Sequence, residues 1–465
     1  MNDLLKGFAD SKNMSYEEGI KYLISLYPEF TEDILTDEDK ALKTLQILMS
    51  IGDYVPSVDT TQYDGILKDL PSDIAQVFNL VTDYDKVEFI KSHETLFDKN
   101  NWLYLMHEDT PVLKFTLDYS TWIILENELL PLYLRDRLYN VESIADLNFE
   151  ARVSNLEIFK GYAASRMLTM DRLHAKAILG HWHLAAELSP YDKAAIAVSC
   201  NLLTVEDKYW LCGNPSKVKW ADVDLRTQPT HKVIIALALQ GRSSLFKSAI
   251  PITEFTTKGI FPKAWCRENN WLYLLKGPIM DYPKSVDIEV AVSNILDVLK
   301  IQHIKYEKSF YDGMPVCKCR NMTTDKLSRV TASEVQIYAK YHNKTVLDFV
   351  KDLNDPLFYK MCIIDYLISN TDRHFNNWGF YFDDRYCDLV SLHPLFDHNL
   401  SFDSKALFND NYESYIFPNM SLYEVARLAL KRVDFPDVSK VTRNLFVAKE
   451  HYESFREKCN KLKLL

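Results

Sequence analysis

The stretch DPLFYKMCIIDYLISNTDRHFNNWGFYFD, residues 355–383, changes character halfway along its length. Its first half places Leu357, Met361, Ile364 and Leu367 at helical spacing, which predicts an amphipathic helix with that stripe buried. The polar run Asn370-Thr371-Asp372-Arg373-His374 cannot extend such a stripe, so it reads as a loop held at the end of a rigid helix, a common place for catalytic groups. Asp372 and Asn377 stand five positions apart. Further on, PLFDHNLSF brings an apolar strand end to Asp397. Taken alone, Asp372 and Asn377 could be turn residues bonding their own backbone. The three oxygen-bearing side chains together suit phosphoryl transfer, which needs oxygen ligands for a hard divalent cation and a base that orients the attacking hydroxyl.

Upstream, EFTTKGIFPKAWCRENNWLYLLKG (residues 254–277) reads as two strands joined by a polar turn. In the second strand Leu272, Leu274 and Lys276 share one face, and Trp271, Tyr273 and Leu275 the other. A helix is expected from about 285 to 300, with Ile288, Val292, Ile295, Leu296 and Leu299 on its apolar face. HIKYEKSFYDGMPVCKCRNM (303–322) then predicts two strands around the Asp312-Gly313 turn. Cys317 and Cys319 fall on one side of the second of these and read as buried thiols. Beyond Thr331 the pattern is mainly helical, with an irregular stretch over 370–402.

NTDRHFNNWGF followed by PLFDHNLSF resembles the HipA-like kinases, bacterial serine/threonine kinases best known as toxins of toxin–antitoxin pairs and distantly related to phosphoinositide kinases. The resemblance covers about residues 100 to 465 and is strongest from 250 to 405. It implies an α+β, two-lobed protein-kinase-like fold using ATP and Mg2+, with Asp372 as catalytic base and Asn377 and Asp397 as metal ligands. It also implies that Gly259 and Lys263 form a phosphate-binding loop, that Lys276 contacts ATP, and that the adenine hinge lies near Cys319. Glu289 is the candidate helical partner of Lys276, with Asp287 the second choice. Where the family often carries an autophosphorylated serine this chain has Thr256, with Thr257 beside it. The implied substrate is a protein serine or threonine, and the implied partner an antitoxin-like or regulatory protein. A lipid kinase and a nucleotide-binding pseudokinase or scaffold are the alternatives; the first would need a basic membrane-facing surface, and no polybasic run is present.

Composition agrees with a folded enzyme: 465 residues, 47% hydrophobic, 13% aromatic and only 12 glycines. The net charge of −11 is unevenly spread, since the first 100 residues hold 20 acidic side chains against 9 lysines and no arginine precedes Arg135. Residues 1–98 therefore read as an acidic helical accessory module, with Tyr22, Leu23, Ile24 and Leu26 in one helix and Leu42, Leu45, Ile47, Leu48 and Ile51 in another. Its charge disfavours direct binding of nucleic acid. Three further units are expected: a β-plus-helical subdomain over 99–250, opening with the hairpin WLYLMHEDTPVLKFTLDY, an ATP-binding sheet and helix over 251–330, and a helical lobe with the catalytic loop over 331–465. Eight scattered cysteines without a C-x-x-C pair, and no apolar run of membrane-spanning length, lead to a cytoplasmic expectation with no membrane partner.

Overall fold

The computed structural model describes residues 3–26, 37, 40, 41, 45, 102–141, 149–181, 187–230, 232–241 and 256–465. The second expected helix of the acidic module lies outside the described residues except for Leu45, and so do the expected boundaries after 98 and 250. Helices α1 (Asp3–Ser11) and α2 (Tyr16–Leu26) pack together through Leu5, Phe8 and Leu23.

The chain is α+β, and among the described residues the strands form three sheets in which every pairing is antiparallel. The first sheet contains β1 (Trp102–His107), β2 (Thr110–Thr116), β3 (Trp122–Ile124) and β4 (Tyr209–Cys212), in the order β3-β2-β1-β4. Helices α3 (Phe149–Ser165), α4 (Ala175–His181) and α5 (Pro190–Ser199) precede β4, and α6 (Trp220–Val223) and α7 (Lys232–Gln240) follow it. α5 starts sharply because Ser189 and Asp192 cap each other's backbone and Pro190 supplies a preset φ.

The second sheet holds β5 (Lys263–Glu268), β6 (Trp271–Lys276), β7 (Tyr306–Tyr311) and β8 (Met314–Arg320), in the order β5-β6-β8-β7, with α8 (Ser285–Leu299) between β6 and β7. Both its hairpins turn on two residues of positive φ, Asn269-Asn270 and Asp312-Gly313, the geometry that matches strand twist. Ala264, Leu275 and Val316 of this sheet join the core beneath the first sheet, which also contains Phe115, Trp122 and Phe159.

The third sheet, β11-β10-β9, is formed by β9 (Leu327–Thr331), β10 (Gly379–Asp383) and β11 (Asp388–Leu392). Two of these strands fall within the expected irregular stretch 370–402. Their short apolar runs are interrupted by the turn at Arg385 and Tyr386, which hid the hairpin from the sequence pattern. β9 pairs with β10, so by hydrogen bonding residues 327–331 group with the later part of the chain. Helices α9 (Ala332–Tyr341), α10 (Val346–Leu353), α11 (Pro356–Leu367), α12 (Leu422–Ala429) and α13 (Lys449–Lys461) are the α-helices of the remaining described residues. The expected amphipathic stripe on α11 needs correction. Phe358, Cys362, Ile363 and Tyr366 are buried as fully as the predicted positions, because α12, α13 and the third sheet's core enclose the helix on almost every side. A helix this deeply packed is a stiff support for the loop that follows it.

Candidate active site

α11 ends where Ser369 takes a left-handed φ of 53° and the chain turns back, the Asn370 amide donating to Asp365 O at 2.8 Å. Asn370 then works in both directions: its Nδ2 donates to Asp365 Oδ1 at 2.8 Å, and its Oδ1 accepts from the Asp372 amide at 3.1 Å. Arg373 is buried and forked onto Asp365, with Nε to Oδ2 and Nη2 to Oδ1 both 3.0 Å. Its Nη1 donates to two carbonyls at once, Asn377 O at 2.6 Å and Phe396 O at 2.8 Å. One guanidinium thereby ties the backbone at Asn377 to the residue preceding Asp397, with the geometric specificity of a bidentate arginine.

Asp372 keeps a partly exposed carboxylate, 29% of its side chain open to solvent. Asn377 Nδ2 donates to Asp372 O at 2.8 Å and to its Oδ2 at 3.1 Å, leaving Asn377 Oδ1 as an acceptor. Burial pushes the Asp372 carboxyl above its ordinary value, and Asp397 adds to that, while His374, 3.8 Å away, pulls the other way.

Lys276, at the end of β6, is buried with its ammonium between two carboxylates, 2.5 Å from Glu289 Oε2 and 2.6 Å from Asp397 Oδ1. Glu289 is wholly buried on α8, and its other oxygen accepts from the His398 amide at 2.8 Å. Asp287 points elsewhere and pairs with Lys308 at the surface. Burial works against the charge on Lys276, but Asp397 and Glu289 outweigh it and hold the ammonium protonated above its ordinary range. Burial likewise opposes ionisation of Asp397, yet Lys276, Lys263 and Arg373 hold that carboxyl well below its usual value. Glu289 is pushed upward by its burial.

Lys263 begins β5 directly across the ladder from Lys276, and its ammonium folds back onto Lys258 O at 3.1 Å. Burial lowers its pKa, with Lys276 and Arg172 contributing in the same direction. Gly259 has φ 101°, a backbone conformation that strains any side-chain-bearing residue, so the turn favours glycine; the Lys263 ammonium lies against it. Its amide donates to Thr169 Oγ1 at 3.1 Å. Thr256 and Thr257 are both buried; Thr257 Oγ1 accepts from the Trp265 indole at 2.9 Å and Thr257 O from Arg172 at 3.0 Å. Cys319 is buried opposite Leu274, and burial pushes its thiol up to about 12.

Lys276, Lys263, Gly259, Thr256, Thr257, Cys319, Asp372, Asn377 and Asp397 border one cleft of about 250 Å³, with Glu289 behind Lys276. The 256–261 segment, the ends of β5, β6 and β8, the loop at Asp372 and Asn377, and Phe396 with Asp397 form its walls. Sequence reasoning missed a further wall made by Thr169, Asp171, Val205 and Glu206, and it missed Arg329. These come from chain segments whose nearness to the cleft is a matter of tertiary packing alone. The scaffolding role of Asp365 carried a weak signal, as a carboxylate within an otherwise apolar helix.

The residues present fit a nucleotide with Mg2+. Lys258, Lys263 and Lys276 bring positive charge to one cleft, while Asn377 Oδ1 and Asp397 offer hard oxygen ligands. Among the described residues no group of three or more His, Cys, Asp or Glu could hold a metal, so such an ion would complete its shell with phosphate oxygens and water. Among the described residues no helix is long and apolar enough to cross a membrane.

No known protein family and no curated protein matches the chain. Among solved structures it is similar to the crystal structure of a Helicobacter pylori proinflammatory kinase, CtkA, with 19% identity and a TM-score of 0.34, over 43% of this chain and 90% of that one.

Proposed function

We propose that the chain is an ATP- and Mg2+-dependent phosphotransferase, a two-lobed HipA-like kinase acting on a protein serine or threonine. The observation that carries this is the ammonium of Lys276 held between Glu289 and Asp397 at one side of the cleft that Asp372 and Asn377 border. A buried Lys–Glu pair between a strand and a helix fixes a cation where phosphates must lie, and a loop bearing an aspartate and an asparagine faces it.

In this reading Lys276 contacts the phosphates, and the Gly259 to Lys263 segment covers them. Asp372 accepts the proton of the attacking hydroxyl as the new O–P bond forms and the bond to the leaving nucleoside diphosphate breaks. Its raised pKa strengthens it as a base compared with an ordinary aspartate. Asn377 orients Asp372 through its Nδ2 and offers Oδ1 to the metal together with Asp397. Magnesium, when bound, supplies charge that stabilises the transferring phosphoryl group. Arg373 and Asp365 hold the loop and take no part in proton transfer.

Radiolabelled ATP with Mg2+ and a protein extract tests this. Wild-type protein should place label on serine or threonine, and Asp372→Asn should abolish it. Equal transfer by the variant would remove Asp372 as base, and absence of any transfer by a nucleotide-bound wild type would remove the enzymatic reading.

A further inference from the structure

The wall formed by residues 203–207, between α5 and β4, takes no part in the chemistry assigned so far. It lies along the strand end that carries Cys319. Val205 O accepts from Thr323 Oγ1 at 3.1 Å and from Asn321 Nδ2 at 3.5 Å, and Glu206 O accepts from the Arg329 amide at 2.9 Å. These bonds fix the Glu206 backbone at the rim of the cleft. Glu206 lines the cleft along with Asn321 and Thr323, and with Lys258 of the glycine turn.

The Glu206 carboxylate accepts no hydrogen bond from any described residue; the closest cation is Arg329 Nη2, at 3.5 Å, and 23% of the side chain is exposed. Burial raises its pKa, but Arg329, Lys258, Arg166 and His393 together more than offset this and favour the ionised form. An ionised carboxylate would repel a triphosphate, so it does not serve that end of a nucleotide. Beside its ion pair with Arg329 the carboxylate can still accept hydrogen bonds, and a ribose presents two adjacent donors, the 2′ and 3′ hydroxyls, between its base and its phosphates.

We infer that Glu206 binds the ribose hydroxyls of the nucleotide, so that the segment between α5 and β4 supplies selectivity for the sugar to a cleft whose chemistry lies elsewhere. This rests on the cleft being a nucleotide site. Hydrogen bonds from two hydroxyls to a carboxylate should make ATP bind roughly 10-fold or more tightly than 2′,3′-dideoxy-ATP.

Calorimetric titration of the full chain with ATP, 2′,3′-dideoxy-ATP and inosine triphosphate, each with Mg2+, tests it without relying on turnover. Wild type should prefer ATP over the dideoxy analogue by that factor. Glu206→Ala should bind both about equally, and Glu206→Gln, which keeps size and one good acceptor, should fall between. Melting temperatures close to that of wild type would show that both variants fold. If wild type binds ATP but Glu206→Ala keeps the full preference, or if the variant instead loses discrimination against inosine triphosphate, the ribose assignment is overturned and the nucleotide site stands. If wild type binds no adenine nucleotide, both fall.

Discussion

The ammonium of Lys276 lies 2.6 Å from Oδ1 of Asp397, linking the second sheet to a loop 121 residues further along the chain. Glu289, 2.5 Å away on the other side, completes a buried cluster with one cation and two carboxylates. Removing the cation leaves two like charges facing each other out of water. Lys276→Met should therefore lose about 3–5 kcal/mol of stability at neutral pH. The sign of the pH dependence follows. In the wild type Asp397 has a folded-state pKa below its unfolded value of 3.8, so its contribution is present above that value and lost as pH falls. In the variant the stranded carboxylates can take up protons, so the gap to wild type should narrow on acidification. Denaturant unfolding at several pH values measures this; a gap independent of pH would contradict it.

Asp372→Asn should lower the rate of phosphoryl transfer by roughly 10²–10⁴-fold while leaving nucleotide affinity nearly unchanged, because the amide keeps the shape but cannot take a proton. Turnover and equilibrium binding measured on the same preparation separate the two effects.

His374 lies 3.8 Å from Asp372 and, when protonated, favours the aspartate's charged form. The base must be ionised to act, so activity should fall as pH drops through its raised pKa. His374→Gln removes the opposing influence and should move the acid limb of kcat/KM to higher pH, with less change at the plateau. An unmoved limb would mean that another group sets it.

Asp372, Asn377 and Asp397 stood out because polar residues there interrupt strong apolar patterns, whereas Lys276, a lone charge closing a strand, stood out through the resemblance to the HipA-like kinases. Glu289 was harder. It sits among Ile288 and Val290 on a helix, and only the fold distinguishes it from Asp287, which goes to Lys308. The hairpin of β10 and β11 was missed because its strands are five residues each and lie among loop-like residues. Glu206 and Arg329 left no trace in the sequence pattern: long-range packing alone brings them to the cleft.

Lys458 is a further case that the sequence could not disclose. On α13, it donates to Tyr366 O at 3.0 Å, Ser369 Oγ at 2.7 Å and Ala406 O at 2.8 Å, joining the end of α11 to the segment beyond Asp397. Burial lowers its pKa from 10.5 to about 7, with Asp410 and Glu457 opposing and Lys461 adding to the shift. The unfolded chain therefore holds more protons between those values, so the wild type should gain stability as pH rises through that interval. Lys458→Met should remove that gain and, by stranding three acceptors, cost about 3 kcal/mol near neutral pH. Thermal denaturation from pH 7 to 10 checks both effects.

The most direct measurement is a crystal structure with a non-hydrolysable ATP analogue and Mn2+, whose anomalous signal locates the metal. The metal should lie about 2.0–2.2 Å from Asn377 Oδ1 and an Asp397 oxygen, with the terminal phosphate directed toward Asp372. A metal held by other residues, or a nucleotide outside the Lys276 cleft, would contradict the assignment.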